Sequence, residues 1–263
     1  MLPINADTLK AIAPRFRGDN AARQAQIISE VGDDLRPKLA HYQINTPLRI
    51  AHFLAQIAHE SAGLRTTEEF ASGEAYEGRA DLGNTETGDG KRYKGRGLIQ
   101  LTGRDNYRRL GNTLGEDFIA HPERCAEPAI SLVIACEYWK WRAINATADT
   151  DDLVAVTRAV NGGTNGLADR RKYLGLAKTE LARLGANLLH AASPVDSRPV
   201  LRRGSTGIAV IQLQLALKDK GFAITIDGDF GPGTHLAVVL YQQQKSLTAD
   251  GIVGAATWNA LDL

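Results

Sequence analysis

Between Leu48 and Ala58 the apolar residues stand at 48, 50, 51, 54, 57 and 58, the spacing of one face of an α-helix. Asn45-Thr46-Pro47 opens this run with a capping residue and a proline at the first helical position, and Gly63 is placed to end it. The same reading predicts a first helix capped by Asn5 or Asp7 and a second over Asn20–Leu39. Further helices are predicted around Asp105–Leu114, Pro128–Ile144, Asp151–Val160 and Ala168–Leu184. Residues 71–97 break the pattern, being glycine-rich, polar and aperiodic. So long a stretch inside a compact domain is usually functional.

The first 190 residues are therefore predicted to be mainly helical. Residues 191–200, AASPVDSRPV, hold two prolines and two serines and predict a linker. From 201 to 263 the chain echoes itself. DGDFGPGTHLAV, from Asp227, and DGIVGAATWNAL, from Asp250, share an Asp-Gly turn, a second glycine and a threonine expected to open a helix. Val210, Leu213, Leu215 and Leu217, then Val238, Leu240 and Tyr241, repeat as helices do. About 65 residues suffice for a small helical domain of three helices.

Charge narrows the partners. Lys plus Arg number 31 against 30 for Asp plus Glu, which leaves no basic field for nucleic acid. The 43% hydrophobic content supports a packed core. No run approaches the roughly 18–20 apolar residues of a membrane span. The start, MLPINADTLKAIAPRF, lacks the apolar stretch of a secretory signal, so a chain made in the cytoplasm is expected. Cys125 and Cys136, if they share a helix, stand about 16 Å apart, too far to bridge, and read as reduced buried thiols.

Candidate chemistry is reached by exclusion. His59-Glu60 begins a zincin motif, but Gly63 occupies the position of the second histidine, and no metal site is expected. Cys136 lies in ISLVIACEYW, the setting of an inert thiol. GDGKRYKGRG lacks both a preceding strand and phosphate-loop spacing. Carboxylates remain. AHFLAQIAHESAGL carries Glu60 to a helix end, and TTEEF supplies Glu68 and Glu69 just beyond a glycine break. A carboxyl kept protonated by an apolar helix face, opposite one kept ionised in a wetter loop, is the pair a glycosidase needs. Spacing alone leaves open the plainer alternative of solvated surface charge.

FLAQIAHESAGL, TTEEF, YKGRGLIQLTGRDNY, VNGG and ADRRKY, in this order over about residues 45–185, resemble glycoside hydrolase family 19 in its phage endolysin branch. LRRGSTGIAVIQLQLAL through DGIVGAATWNAL, over residues 200–261, resembles the peptidoglycan-binding domain type 1 module. The resemblance implies a lysozyme-like helical catalytic domain over 1–190, a linker over 191–200 and a three-helix binding domain over 201–263. Residue by residue it implies Glu60 as general acid and Glu69 as general base, with Glu68 the close competitor and Glu74 and Glu77 still open. Thr102 would hold the attacking water and Gln100 would touch sugar. Asn106 and Asn161 match sugar-binding asparagines, and Arg170 matches an arginine beside the base. Tyr93, Lys94 and Arg96 would line the cleft, while Tyr107 is open between core and cleft. In the tail, Asp227, Phe230, Tyr241, Asp250 and Trp258 are candidate contacts, with a core role for them equally open.

The implied activity is hydrolysis of β-1,4 bonds in peptidoglycan with inversion and no cofactor, leading to host lysis. The implied context is a monomer, released with a holin's help to act on the wall. A chitinase acting on GlcNAc polymer and a non-catalytic wall-binding protein are the alternatives.

Overall fold

The computed structural model describes residues 1–192 and 198–261. The first helix, α1 (Ala6–Ile12), is capped by Asn5. The Asn5 side chain accepts from the Asp7 and Thr8 amides, and Thr8 Oγ1 accepts from the Asn5 amide in return. Then follow α2 (Asp19–His41), α3 (Pro47–Glu60), α4 (Asp89–Arg92), α5 (Arg104–Leu114), α6 (Pro128–Trp141), α7 (Ile144–Asp149), α8 (Leu153–Asn161) and α9 (Leu167–Ala192). Among the described residues there are only isolated β-bridges and no named strand. No helix among them is long and apolar enough to cross a membrane.

The helix predicted over 128–144 is broken. Ala143 takes a left-handed φ of +52°, which separates α6 from α7. The break lets Ile144 enter the core and brings Asn145 Oδ1 to 2.9 Å from Trp139 Nε1.

The centre of the first unit is α3. Ile50, Ala51, Phe53, Leu54, Ala55, Ile57 and Ala58 are all fully buried, and Phe53 meets Trp139 edge-on at 5.3 Å. A helix apolar on every side belongs inside a core, and each large side chain so buried stabilises by about 1.5–3 kcal/mol. Two buried polar residues on it find partners: His52 Nε2 lies 2.8 Å from Asp151, with Nδ1 unpartnered, and Gln56 accepts from Arg170. Besides Pro47 and Arg49 in its first turn, α3 approaches solvent at its last turn, and there it carries His59 and Glu60.

The glycine-rich stretch 71–97 folds into short 3₁₀ segments, Glu74–Tyr76 and Ala80–Leu82, followed by α4. It is pinned from within. Asn84 is buried, donates to the Tyr76 carbonyl and accepts from the Arg104 amide. Burial works against the charge on Asp89, yet Arg104 and neighbouring amides bring its carboxyl below the usual range.

Contacts divide the chain into two compact units. One comprises Pro3–Asn45 and Arg49–Ala177, and the other begins at Lys178 and takes in Thr46–Leu48. Helix α9 continues past its predicted end near Leu184 and takes the first two residues of the predicted linker. Residues 193–197, the middle of that linker, lie outside the described residues.

The later unit holds α10 (Ile208–Asp219), α11 (Pro232–Gln244) and α12 (Ala255–Ala260). They close over a core that includes Leu201, Leu213, Phe230, Val238, Tyr241, Val253 and Trp258. The sequence echo has a physical cause in two buried glutamines. Gln214 Oε1 accepts from the Gly228 amide at 2.9 Å, while its Nε2 donates to Asp227, the Asp229 carbonyl and Thr234. Gln242 repeats the device on the Gly251 amide, Asp250, the Ile252 carbonyl and Thr257. The two threonines thus lie inside their helices as acceptors, and glycines 231 and 254 hold the cap positions. Phe230, Tyr241 and Trp258 are core, and Asp227 and Asp250 belong to the latches.

Candidate active site

The end of α3 sorts His59, Glu60 and Ser61 into separate tasks. Ser61 is buried and structural: its Oγ donates to the Ile57 carbonyl at 2.6 Å and accepts from the Leu64 amide at 3.0 Å. His59 Nδ1 lies 2.8 Å from Asp169 Oδ2 on α9. Gly166 makes this approach feasible, since its φ is +72° and a Cβ there would sit 2.1 Å from the His59 ring.

Glu60, with 16% of its side chain exposed, accepts from Arg170 Nη2 at 2.6 Å. Arg170 is 1% exposed, and all three guanidinium nitrogens are engaged, the others by Gln56 and the Asn165 carbonyl. This corrects the expectation that Arg170 stands beside Glu69. Asp169 and Arg170 adjoin at the start of α9, where they meet His59 and Glu60 at the end of α3, so two side-chain pairs join the helix ends. Glu60 is thus charge-paired rather than set against an apolar face alone. Burial raises the phenol of nearby Tyr138, with the charge of Glu60 adding to the effect.

Glu69 is held differently. Its Oε1 accepts from the Gly95 amide at 2.7 Å and its Oε2 from the Tyr76 hydroxyl at 3.0 Å. Burial, then the neighbouring Glu69 charge, push the Tyr76 phenol up, so Tyr76 stays protonated and donates. Gly95 is a site residue that the sequence reading missed. A Cβ there would come within 3.0 Å of Gln100 Oε1 and 3.3 Å of Glu69 Cδ, so any larger residue would press on the two side chains that meet there.

The competing carboxylates are engaged elsewhere. Glu68 pairs with Arg96 at 3.1 Å and Lys94 at 3.3 Å. Glu74 pairs with Lys91, and Glu77 accepts from the Gly88 and Gly90 amides. Glu69 is therefore the loop carboxylate held by neutral donors beside Gln100.

Beyond Gly95 the predicted residues form a relay. Gln100 takes a left-handed φ of +54° and donates to the Gly97 carbonyl. Thr102 Oγ1 donates to the Gln100 carbonyl at 2.9 Å, and Asn106 Nδ2 from α5 donates to the Thr102 carbonyl at 2.8 Å. Spending its proton inward leaves the Thr102 oxygen free to accept from water. Asn161, at the end of α8, is exposed and shapes its own turn, accepting from the Gly163 amide and donating to the Asn165 carbonyl that also receives Arg170.

Tyr93 and Arg96 do not line a cleft. Tyr93 is 1% exposed, edge-on to Tyr107 at 5.3 Å, and Arg96 is buried on Glu68, the Arg92 carbonyl and Tyr107. They are the internal pins of the loop, and Tyr107 is core.

Among the described residues no three His, Cys, Asp or Glu side chains gather as metal ligands. The cysteines share no helix: Cys125 lies in the 3₁₀ segment Pro122–Ala126, and Cys136 on α6. Both are buried and free, and burial pushes the Cys125 thiol up to about 12 and raises Cys136 as well.

Comparison with known proteins gives two family matches. Residues 43–175, half of the chain, match the family described as Chitinase class I, and residues 206–261 match a Putative peptidoglycan binding domain. A glycosyl hydrolase family 19 domain-containing protein of Haemophilus influenzae is 37% identical over 113 residues, 43% of this chain and 54% of that protein. A zinc D-Ala-D-Ala carboxypeptidase of Streptomyces albus G is 45% identical over 64 residues, 23% of this chain and 25% of the other. The chain spans about half the length of the first of these relatives and a quarter of the second. Chitinase C from Streptomyces griseus HUT6037 shares the fold, with a TM-score of 0.52 at 19% identity, covering 68% of this chain and 93% of that one. With a family match over half its length and the same helical fold, the chain belongs to glycoside hydrolase family 19, the class I chitinase family.

Proposed function

We propose that this chain hydrolyses β-1,4 bonds of the peptidoglycan glycan strand by single displacement with inversion, and serves as an endolysin. One observation carries the reading. Two carboxylates of the same unit are held in opposite ways, Glu60 by the buried Arg170 and Glu69 by an amide and a phenol beside Gln100 and Thr102. Arg170 holds Glu60 through Oε1, and in the acid form the proton rides on the other carboxyl oxygen, from which it passes to the glycosidic oxygen as the leaving group departs; the motif order, not the ion pair, gives Glu60 this part. Glu69 takes a proton from a water that the Thr102 oxygen steadies, and that water attacks the opposite face of the sugar. Inversion of this kind uses carboxyls about 6.5–9.5 Å apart. The choice of peptidoglycan is supported by the match of residues 206–261 to a putative peptidoglycan binding domain. Tethering there raises the local concentration of an insoluble substrate without any new catalytic contact. In this reading residues 1–190 form the catalytic module, 201–263 the wall-binding module, and the enzyme reaches the wall after release from the cytoplasm.

Mass analysis of fragments from digested peptidoglycan, with early-time NMR of the anomeric proton, tests this. New reducing ends on the glycan, first released as the α-anomer, are expected. The β-anomer overturns inversion, and intact glycan with cut peptides overturns the glycosidase reading. A second reading, hydrolysis of chitin, draws on the class I chitinase match. It takes precedence if GlcNAc hexamer is turned over with a higher kcat/KM than soluble peptidoglycan strands.

A further inference from the structure

A pocket of about 430 Å³ adjoins Glu68 and Glu69 on the side of α2, and two arginines, Arg23 and Arg65, line it. Arg65 is held in an unusual way. Its guanidinium carbon lies over the ring of Phe16, at 5.1 Å, and over that of Phe70, at 5.2 Å, and its buried Nε has no hydrogen-bond partner. Neither arginine forms an ion pair among the described residues. The pocket's carboxylates do not serve them, because Glu68 is taken by Lys94 and Arg96 and Glu69 by Gly95 and Tyr76. At the rim Phe70 is 70% exposed, which a core aromatic would not be.

Contact with two ring faces restrains a guanidinium without satisfying any of its N–H donors. A partly buried, unpaired guanidinium is costly alone and is stabilised by an incoming anion, for which a planar carboxylate is the best match. We propose that this pocket is a subsite for a carboxylate carried by the glycan, read by Arg65 and Arg23 as the strand passes Glu69. The inference rests on peptidoglycan being the substrate and names the feature by which that strand is told from chitin. Chitin is uncharged along its length. Peptidoglycan carries stem-peptide carboxylates, and its lactyl group becomes a carboxylate once the peptide is removed.

The test uses the full chain and three soluble substrates: GlcNAc hexamer, peptide-bearing strands and strands stripped of peptide by an amidase. Arg65→Gln is expected to lower kcat/KM on the anionic strands by roughly ten-fold or more relative to the hexamer, mainly through KM. Arg65→Lys should recover part of the loss, and high salt should shrink the preference of the unaltered chain. A loss confined to peptide-bearing strands assigns the site to stem carboxylates, and a loss on stripped strands too includes the lactyl group. Arg23→Gln, on the exposed rim, is the second variant and decides the matter if Arg65→Gln does not fold. Equal losses on all three substrates, or none, overturn the inference while leaving the proposed function standing. If the unaltered chain cuts neither peptidoglycan strand, the proposed function fails and this inference falls with it.

Discussion

Arg170 Nη2 lies 2.6 Å from Glu60 Oε1, joining positions 110 residues apart through a guanidinium that is almost wholly buried. A buried charge stripped of its partner is strongly destabilising, whereas a satisfied pair is roughly neutral. Arg170→Met should therefore cost about 3–5 kcal/mol, because it orphans Gln56 and the Asn165 carbonyl as well as Glu60. Arg170→Lys keeps the charge but loses the fork, and is expected to fall between. Thermal unfolding measures both, and an unchanged Tm in Arg170→Met would mean that the network contributes nothing.

Glu60→Gln preserves shape and most contacts but removes the transferable proton. Its rate should fall by about 10²–10⁴. Lysis faster than a tenth of normal would remove Glu60 from the role of acid. Glu69→Gln is expected to be comparably impaired. Glu68→Gln should be milder and show mainly as loosening of the Lys94 and Arg96 contacts; the reverse order would transfer the base to Glu68.

Thr102 tests the water-holding role. Thr102→Ser keeps an oxygen able to accept while donating to the Gln100 carbonyl, and Thr102→Val keeps only the shape. Activity should survive largely in the first and collapse in the second. Equal rates would separate the hydroxyl from the nucleophile.

The two glutamine latches are separable. Gln214→Ala should speed hydrogen exchange at the Gly228 amide and leave Gly251 protected, and Gln242→Ala should do the opposite. Each leaves buried polar groups unpaired, at about 1–3 kcal/mol per group. Exchange that rises at both amides in either variant would show a single cooperative unit instead.

Cys125 gives a pH dependence. Burial lifts its thiol from 9.0 to about 12, so above pH 9 the unfolded chain binds fewer protons than the folded one. The stability due to a neutral Cys125 is complete below pH 9 and is lost as pH rises toward 12. Cys125→Ser should flatten that part of the unfolding profile, and equal slopes in the two chains would contradict the assignment.

Helix positions were legible because capping and periodicity are local: Asn5, Pro47 and the apolar run through Ala58 each act within a few residues. The break at Ala143 was not, because its cause is tertiary, the reach of Asn145 to Trp139. The same division runs through the site. Glu60, Glu69, Thr102 and Asn106 sit in contiguous motifs, so their candidacy is readable from motif order, and their roles are what the variants above test. Arg170 was assigned to the wrong carboxylate because motif order is silent about which helix ends meet. Tyr93 and Arg96 read as cleft residues because a polar loop looks exposed in one dimension, while here it wraps its own buried pins. Gly95 went unnoticed because its contribution is the absence of a side chain.

The long span between Glu60 and Arg170 bears on the order of synthesis. Each latch in the later unit closes within 20 or 15 residues and needs only a short piece of nascent chain. The carboxylate at the end of α3 leaves the ribosome 110 residues ahead of the guanidinium that will hold it. A growing chain therefore carries both glutamates well before it can fix Glu60, and the Glu60–Arg170 pair is assembled only when α9 arrives. Short-range contacts form fast and long-range ones slowly, so the last part of the chain to be made should complete its own bonds soonest.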